Sequence, residues 1–180
     1  MNKAVFLDRD GVINVDKGYL YRIEDFEYLS GAVDGLRMLQ EKGYVLVVVT
    51  NQSGIARGLF TEEDFNILNN WMVKDLHKKG VIIQKTYYCP HHEGAVVEKY
   101  RKKCECRKPG IELFMRAQKE FDIDMNRSIA IGDSLRDLSI CKTTGVKGFL
   151  LNECGGNGAK GITICNNWGS LIDVFEGRNN

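Results

Sequence analysis

Phe6-Leu7-Asp8-Arg9-Asp10-Gly11-Val12 follows a short apolar run that begins at residue 3, and its reading decides the fold. A run of that kind without polar alternation suits a strand covered on both faces, and Gly11 lets the chain turn sharply just beyond two carboxylates. Outward from it, residues 31–42 carry Val33, Leu36 and Leu39 on one helical stripe, with Gly43 as the stop signal. Residues 44–49 are β-branched and almost wholly apolar, a second central strand, and Thr61-Glu62-Glu63-Asp64 opens a helix running to about Lys79. The alternation continues with a strand at 81–88, a helix from Pro109 to about Phe121 and a strand at 128–131. A helix over 135–144, strands at 148–151 and 162–164, and a last helix over 168–175 complete it. The repetition predicts an α/β fold, a doubly wound, mostly parallel sheet with helices on both faces.

The chain has 180 residues, 43% of them hydrophobic and 27% charged, which fits a single domain spanning residues 1–180. A net charge of +1 gives no electrostatic footprint for nucleic acid or an anionic membrane, so neither is expected as a partner. No stretch approaches the ~20 apolar residues of a membrane span. Met1-Asn2-Lys3 leads straight into an apolar run too short for a secretory signal, so a cytoplasmic location and a monomeric state are the default expectations. Gly155-Gly156-Asn157-Gly158 marks a flexible late loop.

Three strands each run into a polar residue at the carboxyl end: Leu7 into Asp8, Val49 into Thr50, and Ile131-Gly132 into Asp133. One Asp or Thr after a strand is ordinarily a cap or turn former. Three of them, with Asp10 close by, converge where open α/β sheets bind ligands. Of the paired carboxylates Asp8 and Asp10, one ionised beside a cation can attack phosphorus while the other handles the proton of the leaving group. Asp133 adds a second carboxylate for that cation, and oxygen ligands suit Mg²⁺. Lys108, ahead of Pro109 at the predicted helix start, adds positive charge for an anion. Asp137 either orients Lys108 or a metal-bound water, or faces solvent.

Residues 89–107 fit neither the helical nor the strand period, and a loop of that length in a compact domain is functional or pinned. Cys89-Pro90-His91 and Cys104-Glu105-Cys106 supply three sulfurs and a nitrogen, a set suited to a closed, structural, tetrahedral Zn²⁺ site. His92 is the alternative nitrogen. His77, Cys141, Cys154 and Cys165 are assigned ordinary packing or surface roles.

Phe6 to Val12, Val49-Thr50-Asn51-Gln52-Ser53-Gly54, Lys108-Pro109, and Gly132-Asp133 through Asp137 together resemble the four ordered motifs of the haloacid dehalogenase superfamily of phosphatases. The resemblance implies a Rossmann-like fold, Asp8 as the nucleophile that forms an aspartyl-phosphate, and Asp10 as general acid/base. It implies Thr50 and Lys108 as the groups on the phosphoryl oxygens, and Mg²⁺ held by Asp8, Asp133 and the main-chain carbonyl of Asp10. The cysteine loop with Arg107-Lys108-Pro109 is similar to the zinc-containing branch that acts on heptose 1,7-bisphosphate or histidinol phosphate.

From the heptose members, removal of the C7 phosphate from a small phosphorylated sugar is the implied reaction, in nucleotide-activated heptose synthesis. Asp16, Lys17, Gly18, Tyr19, Thr50, Asn51, Gln52, Ser53, Arg107 and Lys108 are the implied substrate contacts, with Arg107 on the part of the sugar that is not cleaved. Where the family typically has Lys after the metal-binding Asp, this chain has Ser134. No insertion between Asp10 and Thr50 or between Thr50 and Lys108 is large enough for a cap domain, so an open site is expected. Histidinol-phosphate hydrolysis is the rival within the class, and a non-catalytic zinc-stabilised binding module the rival outside it.

Overall fold

In a computed structural model of the chain, which describes residues 1–151 and 161–178, six strands form one sheet. They are β1 (Lys3–Leu7), β2 (Tyr44–Asn51), β3 (Ile83–Cys89), β4 (Ile129–Gly132), β5 (Lys147–Leu151) and β6 (Ile162–Cys165). Their order is β3-β2-β1-β4-β5-β6, and every pairing is parallel, so the sheet is more uniform than the mostly parallel expectation. The helices are α1 (Ala32–Glu41), α2 (Ser53–Ala56), α3 (Glu62–Lys78), α4 (Glu112–Phe121) and α5 (Trp168–Glu176).

The period-two alternation of buried strands divides the core. Val5, Leu7, Leu46, Val48, Ile129 and Ile131 pack with Leu36 and Leu39 of α1, Met72 and Leu76 of α3, and Trp168 and Leu171 of α5. Ala4, Phe6, Val47, Val49 and Ala130 face the other way, against Leu113, Phe114 and Ala117 of α4. Each such aliphatic or aromatic side chain taken fully out of water contributes about 1.5–3 kcal/mol. Trp168 is fully buried over Gly35, where an added Cβ would overlap its ring, and its indole N–H donates to the Val12 carbonyl at 2.8 Å. That bond ties α5 to the turn that follows Asp8 and Asp10. The α3 start is the anticipated capping box, with Asp64 N–H on Thr61 Oγ1 at 3.1 Å and Thr61 N–H on Asp64 Oδ2 at 2.8 Å.

The larger departures from the sequence reading concern three segments. The helix over 135–144 is absent; the segment turns and holds only a 3-10 turn, Ser139–Lys142. Thr144 Oγ1 donates to the Ile140 carbonyl at 2.7 Å, a local bond that competes with helix propagation, and Asp137 is drawn inward by Lys108 and Ser134. Pro109 lies in a turn before α4 rather than in its first turn, because Gly110 N–H donates to Arg107 O at 2.7 Å and Glu112 N–H to Glu105 O at 3.2 Å. The third strand starts at Ile83 and ends at Cys89, since the Ile82 N–H is taken by Gln40 Oε1 at 2.7 Å. The glycine-rich stretch 155–158 and Cys154 lie outside the described residues.

Candidate active site and metal loop

In the strand order found here, the crevice outside the carboxyl ends of β1 and β4 is the topological switch point, where ligands of doubly wound sheets bind. Asp8 leaves β1 there and Asp133 leaves β4, with Thr50 near the end of β2. Gly11 adopts φ 77°, and a Cβ at that position would overlap the Asp133 carboxylate, so glycine is what allows the two strand ends to meet.

The centre of the cluster is Lys108, 2% exposed. Its Nζ lies 3.1 Å from Asp8 Oδ1 and 2.9 Å from Asp137 Oδ1, and donates to the Val49 carbonyl at 2.7 Å. The Asn51 side chain clamps the Lys108 backbone from both sides: its Nδ2 donates to Lys108 O at 3.1 Å, and its Oδ1 accepts from Lys108 N–H at 3.0 Å. Lys108 is therefore set by burial and the end of β2, not by the start of a helix. Asp137 is buried and oriented on Lys108, which settles its place; Ser134 N–H and Oγ both donate to its other oxygen.

Asp10 is fixed by a different set. Arg9, fully buried, reaches its two oxygens at 3.0 and 2.9 Å through Nη2; Asn14 Nδ2 donates to Oδ1 at 2.9 Å and Gln52 Nε2 to Oδ2 at 3.0 Å. Gln52 Nε2 also donates to Thr50 Oγ1 at 3.0 Å, so Thr50 sits beneath the cleft in the same network. Asp8 Oδ1 accepts the Arg9 N–H at 2.8 Å.

Burial lifts the Asp8 carboxyl to about 6 against the opposing charge of Lys108, with Asp137 and Asp10 adding to the rise. Burial and then Asp137, Asp8 and Asp16 bring Asp133 to about 7. For Asp137 burial acts upward too, but Lys108 and the bonds to it win and hold the carboxyl below its usual range. Burial would depress Lys108, yet Asp8 and Asp137 outweigh it and keep it charged. Asp8, Asp133 and Asp137 place carboxylate oxygens within 4.8 Å of one another, and Lys108 pairs with the first and the last of them. Burial is the larger cause of both rises, so these are poorly solvated acids at one point whose ionised form a hard divalent cation with oxygen ligands would stabilise, and the donor set fits Mg²⁺.

The cleft above has a volume of about 530 Å³ and is lined by Asp8, Asp10, Asp16, Gly18, Tyr19, Asn51, Gln52, Ser53, Arg107 and Asp133 among the anticipated residues. Lys17 is not in the lining; its ammonium pairs with Glu27 at 3.0 Å. Arg57, His92 and Arg136 line the cleft without having been singled out as substrate contacts. Nothing in their spacing betrays this, since Arg57 and His92 come from different loops. Arg136 lies in the 135–144 segment expected to be helical, which turns instead and brings it to the cleft.

In the cysteine loop, Cys106 Sγ is 3.2 Å from the sulfurs of both Cys89 and Cys104, Cys89 and Cys104 are 3.6 Å apart, and His91 Nδ1 is 3.3 Å from Cys106 Sγ. A tetrahedron with Zn–S near ~2.3 Å has edges just under ~4 Å, so the four donors surround a zinc-sized point. His92 turns away: its Nδ1 accepts the Gly94 N–H at 2.9 Å. The loop is also less bare than its sequence suggests, because Ala95 and Tyr100 bury against Ile55, Phe60 and Phe65 as a third small core.

Paired carboxylates at a switch point, with a buried lysine between them and a third acid, define a metal-assisted phosphoryl-transfer site in an α/β fold. A family model described as polynucleotide kinase 3 phosphatase matches residues 5–144. The chain is 51% identical over 135 residues to a D-glycero-beta-D-manno-heptose-1,7-bisphosphate 7-phosphatase of Photorhabdus laumondii, covering 75% of this chain and 72% of that protein. It is 48% identical over 154 residues to the protein of the same name in Haemophilus ducreyi, covering 85% and 84%. Among solved structures, a D,D-heptose 1,7-bisphosphate phosphatase from B. bronchiseptica complexed with magnesium and phosphate superimposes with a TM-score of 0.82 at 27% identity, over 98% of this chain and 99% of that one. The chain belongs to the polynucleotide kinase 3 phosphatase family of haloacid dehalogenase-type phosphatases.

Proposed function

We propose that this protein removes the C7 phosphate of D-glycero-β-D-manno-heptose 1,7-bisphosphate through an aspartyl-phosphate on Asp8, as a step in nucleotide-activated heptose synthesis. The observation that carries the chemistry is the separation of Asp8 and Asp10 into two environments at one strand end. Asp8 Oδ1 accepts the Arg9 N–H and lies 3.1 Å from Lys108 Nζ, which orients the carboxylate to attack phosphorus. As the bond from phosphorus to the C7 oxygen breaks, Asp10, positioned by Arg9, Asn14 and Gln52, gives that oxygen a proton. Water then attacks the acyl phosphate and returns a proton to Asp10, releasing inorganic phosphate and restoring the Asp8 carboxylate.

Lys108 and Thr50 act on the phosphoryl oxygens, and Asp137 keeps Lys108 charged and aimed. Mg²⁺, held by Asp8, Asp133 and the main-chain carbonyl of Asp10, supplies further charge neutralisation when bound. Zn²⁺ on Cys89, His91, Cys104 and Cys106 serves structure, holding the loop that ends at Arg107 and Lys108. The substrate assignment rests on the names of relatives near half identity, and a cytoplasmic monomer belongs to the same reading.

The family model's description favours a second reading, a phosphate at the 3′ end of a nucleic acid, but the net charge of +1 supplies no backbone tract for it. Phosphorus NMR of heptose 1,7-bisphosphate with protein and Mg²⁺ tests the proposal. Loss of the C7 ester signal with the anomeric phosphate retained is expected; loss of the anomeric phosphate, or no release, would contradict it.

A further inference from the structure

Arg9 stands between two catalytic carboxylates in sequence, yet its side chain is fully buried, an unusual place for a guanidinium. Its hold on Asp10 accounts for only part of its bonding. Besides both oxygens of Asp10, Arg9 Nη2 reaches the Leu20 carbonyl at 3.0 Å and Gln52 Oε1 at 3.4 Å, while Nε adds a bond to Asp10 Oδ1 at 3.2 Å. The guanidinium carbon lies 5.6 Å from the Phe65 ring centroid. Nη1 is buried and meets no acceptor among the described residues, a cost that an apolar side chain of similar length would avoid. Packing alone does not explain an arginine here.

The Leu20 carbonyl supplies the other part of the explanation. Leu20 is buried outside the cleft wall, but Asp16, Gly18 and Tyr19 just before it line the cleft. Gly18 and Tyr19 both take left-handed backbone, at φ 70° and 54°, and Tyr19 is one of two non-glycine residues with positive φ among the described residues. Such a turn is kept only where its surroundings enforce it. On one side Asp16 Oδ1 accepts the Gly18 N–H at 2.9 Å, and on the other Arg9 takes the Leu20 carbonyl. One planar, stiff group therefore grips both the loop that faces the substrate and the carboxylate that handles its proton.

We propose that Arg9 is a positioning residue that joins loop 16–20 to Asp10, so that a sugar seated on the loop brings the acid into line with the leaving oxygen. The inference rests on the reading of Asp10 as the proton donor and deepens it. The fit of the loop to the alcohol part of the ester sets how well the proton is delivered, and so which esters turn over. An ester whose alcohol leaves without a proton gains nothing from the linkage. Such an ester is p-nitrophenyl phosphate, because p-nitrophenolate is a stable anion.

The test measures kcat/KM on heptose 1,7-bisphosphate and on p-nitrophenyl phosphate for zinc-loaded protein with Mg²⁺. That constant reports the steps up to aspartyl-phosphate formation and leaves out the water step. Arg9→Met should lose roughly a hundredfold on the sugar ester, the scale of a misplaced acid, and no more than about fivefold on p-nitrophenyl phosphate. Arg9→Lys keeps a charge beside Asp10 without the second arm; it should fall between, and it carries the comparison if Arg9→Met fails to fold. Leu20→Ala loosens the loop from outside the cleft wall, and should lose about tenfold on the sugar ester in the wild-type background but about threefold or less on top of Arg9→Lys. Equal losses on the two esters for the Arg9 variants, or a Leu20→Ala loss that is the same in both backgrounds, would overturn the linkage. Asp10→Asn separates this from failure of the underlying reading: an equal loss on both esters there would mean that Asp10 is not the proton donor, and the inference would fall with that assignment.

Discussion

Replacing Asp137 with Asn removes a charge and almost no volume from the most buried ion pair of the site. The Lys108 and Asp137 side chains are 1% and 2% exposed and 2.9 Å apart. Breaking such a pair by neutralising one partner costs about 3–5 kcal/mol, because the remaining charge is stranded in a poorly solvated place. Here the lower end applies, since Asp8 Oδ1 at 3.1 Å and the Val49 carbonyl at 2.7 Å still receive the ammonium. Urea unfolding of the metal-free protein should therefore show Asp137→Asn less stable by about 3 kcal/mol. Lys108 should also settle closer to Asp8 and occupy the nucleophile, so kcat with saturating Mg²⁺ should fall by roughly one to two orders of magnitude with KM little changed. A variant with wild-type kcat and a stability change below about 1 kcal/mol would refute the claim that Asp137 positions Lys108, and would return it to the role of an ordinary acid.

Cys104→Ala should bring zinc below one equivalent per chain, lower the melting temperature and lower turnover through Arg107 and Lys108; unchanged zinc content by atomic emission would remove Cys104 from the ligand set. Asp8 and Asp133 titrate at about 6 and about 7 when folded but near 3.8 when unfolded, so the folded metal-free chain binds more protons across that window. Its stability should fall as pH rises from about 4 to about 7, and the Mg²⁺ concentration for half-maximal activity should rise as pH drops below about 7; a Mg²⁺ requirement equal at pH 6 and pH 8 would contradict the assignment. Gly35→Ala forces a methyl into the Trp168 ring and should cost about 1–3 kcal/mol in thermal or urea unfolding, whereas a neutral result would mean α1 and α5 pack less tightly than the structure has them.

The strands that carry the site were legible because β1, β2 and β4 are covered on both faces, and such strands read as unbroken apolar runs whose first polar residue marks the mouth of the sheet. That Cys89, His91, Cys104 and Cys106 gather in one place was legible from residue type and clustering alone. That His91 and not His92 stands with the sulfurs shows only in the fold, where His91 Nδ1 lies 3.3 Å from Cys106 Sγ and His92 Nδ1 takes the Gly94 N–H, contacts no spacing rule contains. The segment after Asp133 is not the expected helix, although Leu135 and Leu138 stand three residues apart as on a helical face; the pull of Lys108 on Asp137 and the Thr144 hydroxyl on the Ile140 carbonyl are tertiary and local bonds that override it. Arg57 and Arg136 escaped for a related reason. A single arginine in a loop has no periodicity, and only the folded sheet shows which arginines face the cleft.

The central claim is tested most directly by specificity constants for Mg²⁺-dependent phosphate release from the β and α anomers of heptose 1,7-bisphosphate and from histidinol phosphate, with Asp8→Asn as the blank. The account predicts that the β anomer exceeds histidinol phosphate by orders of magnitude and that Asp8→Asn is inactive though folded. A preference for histidinol phosphate, or substantial turnover by Asp8→Asn, would contradict it.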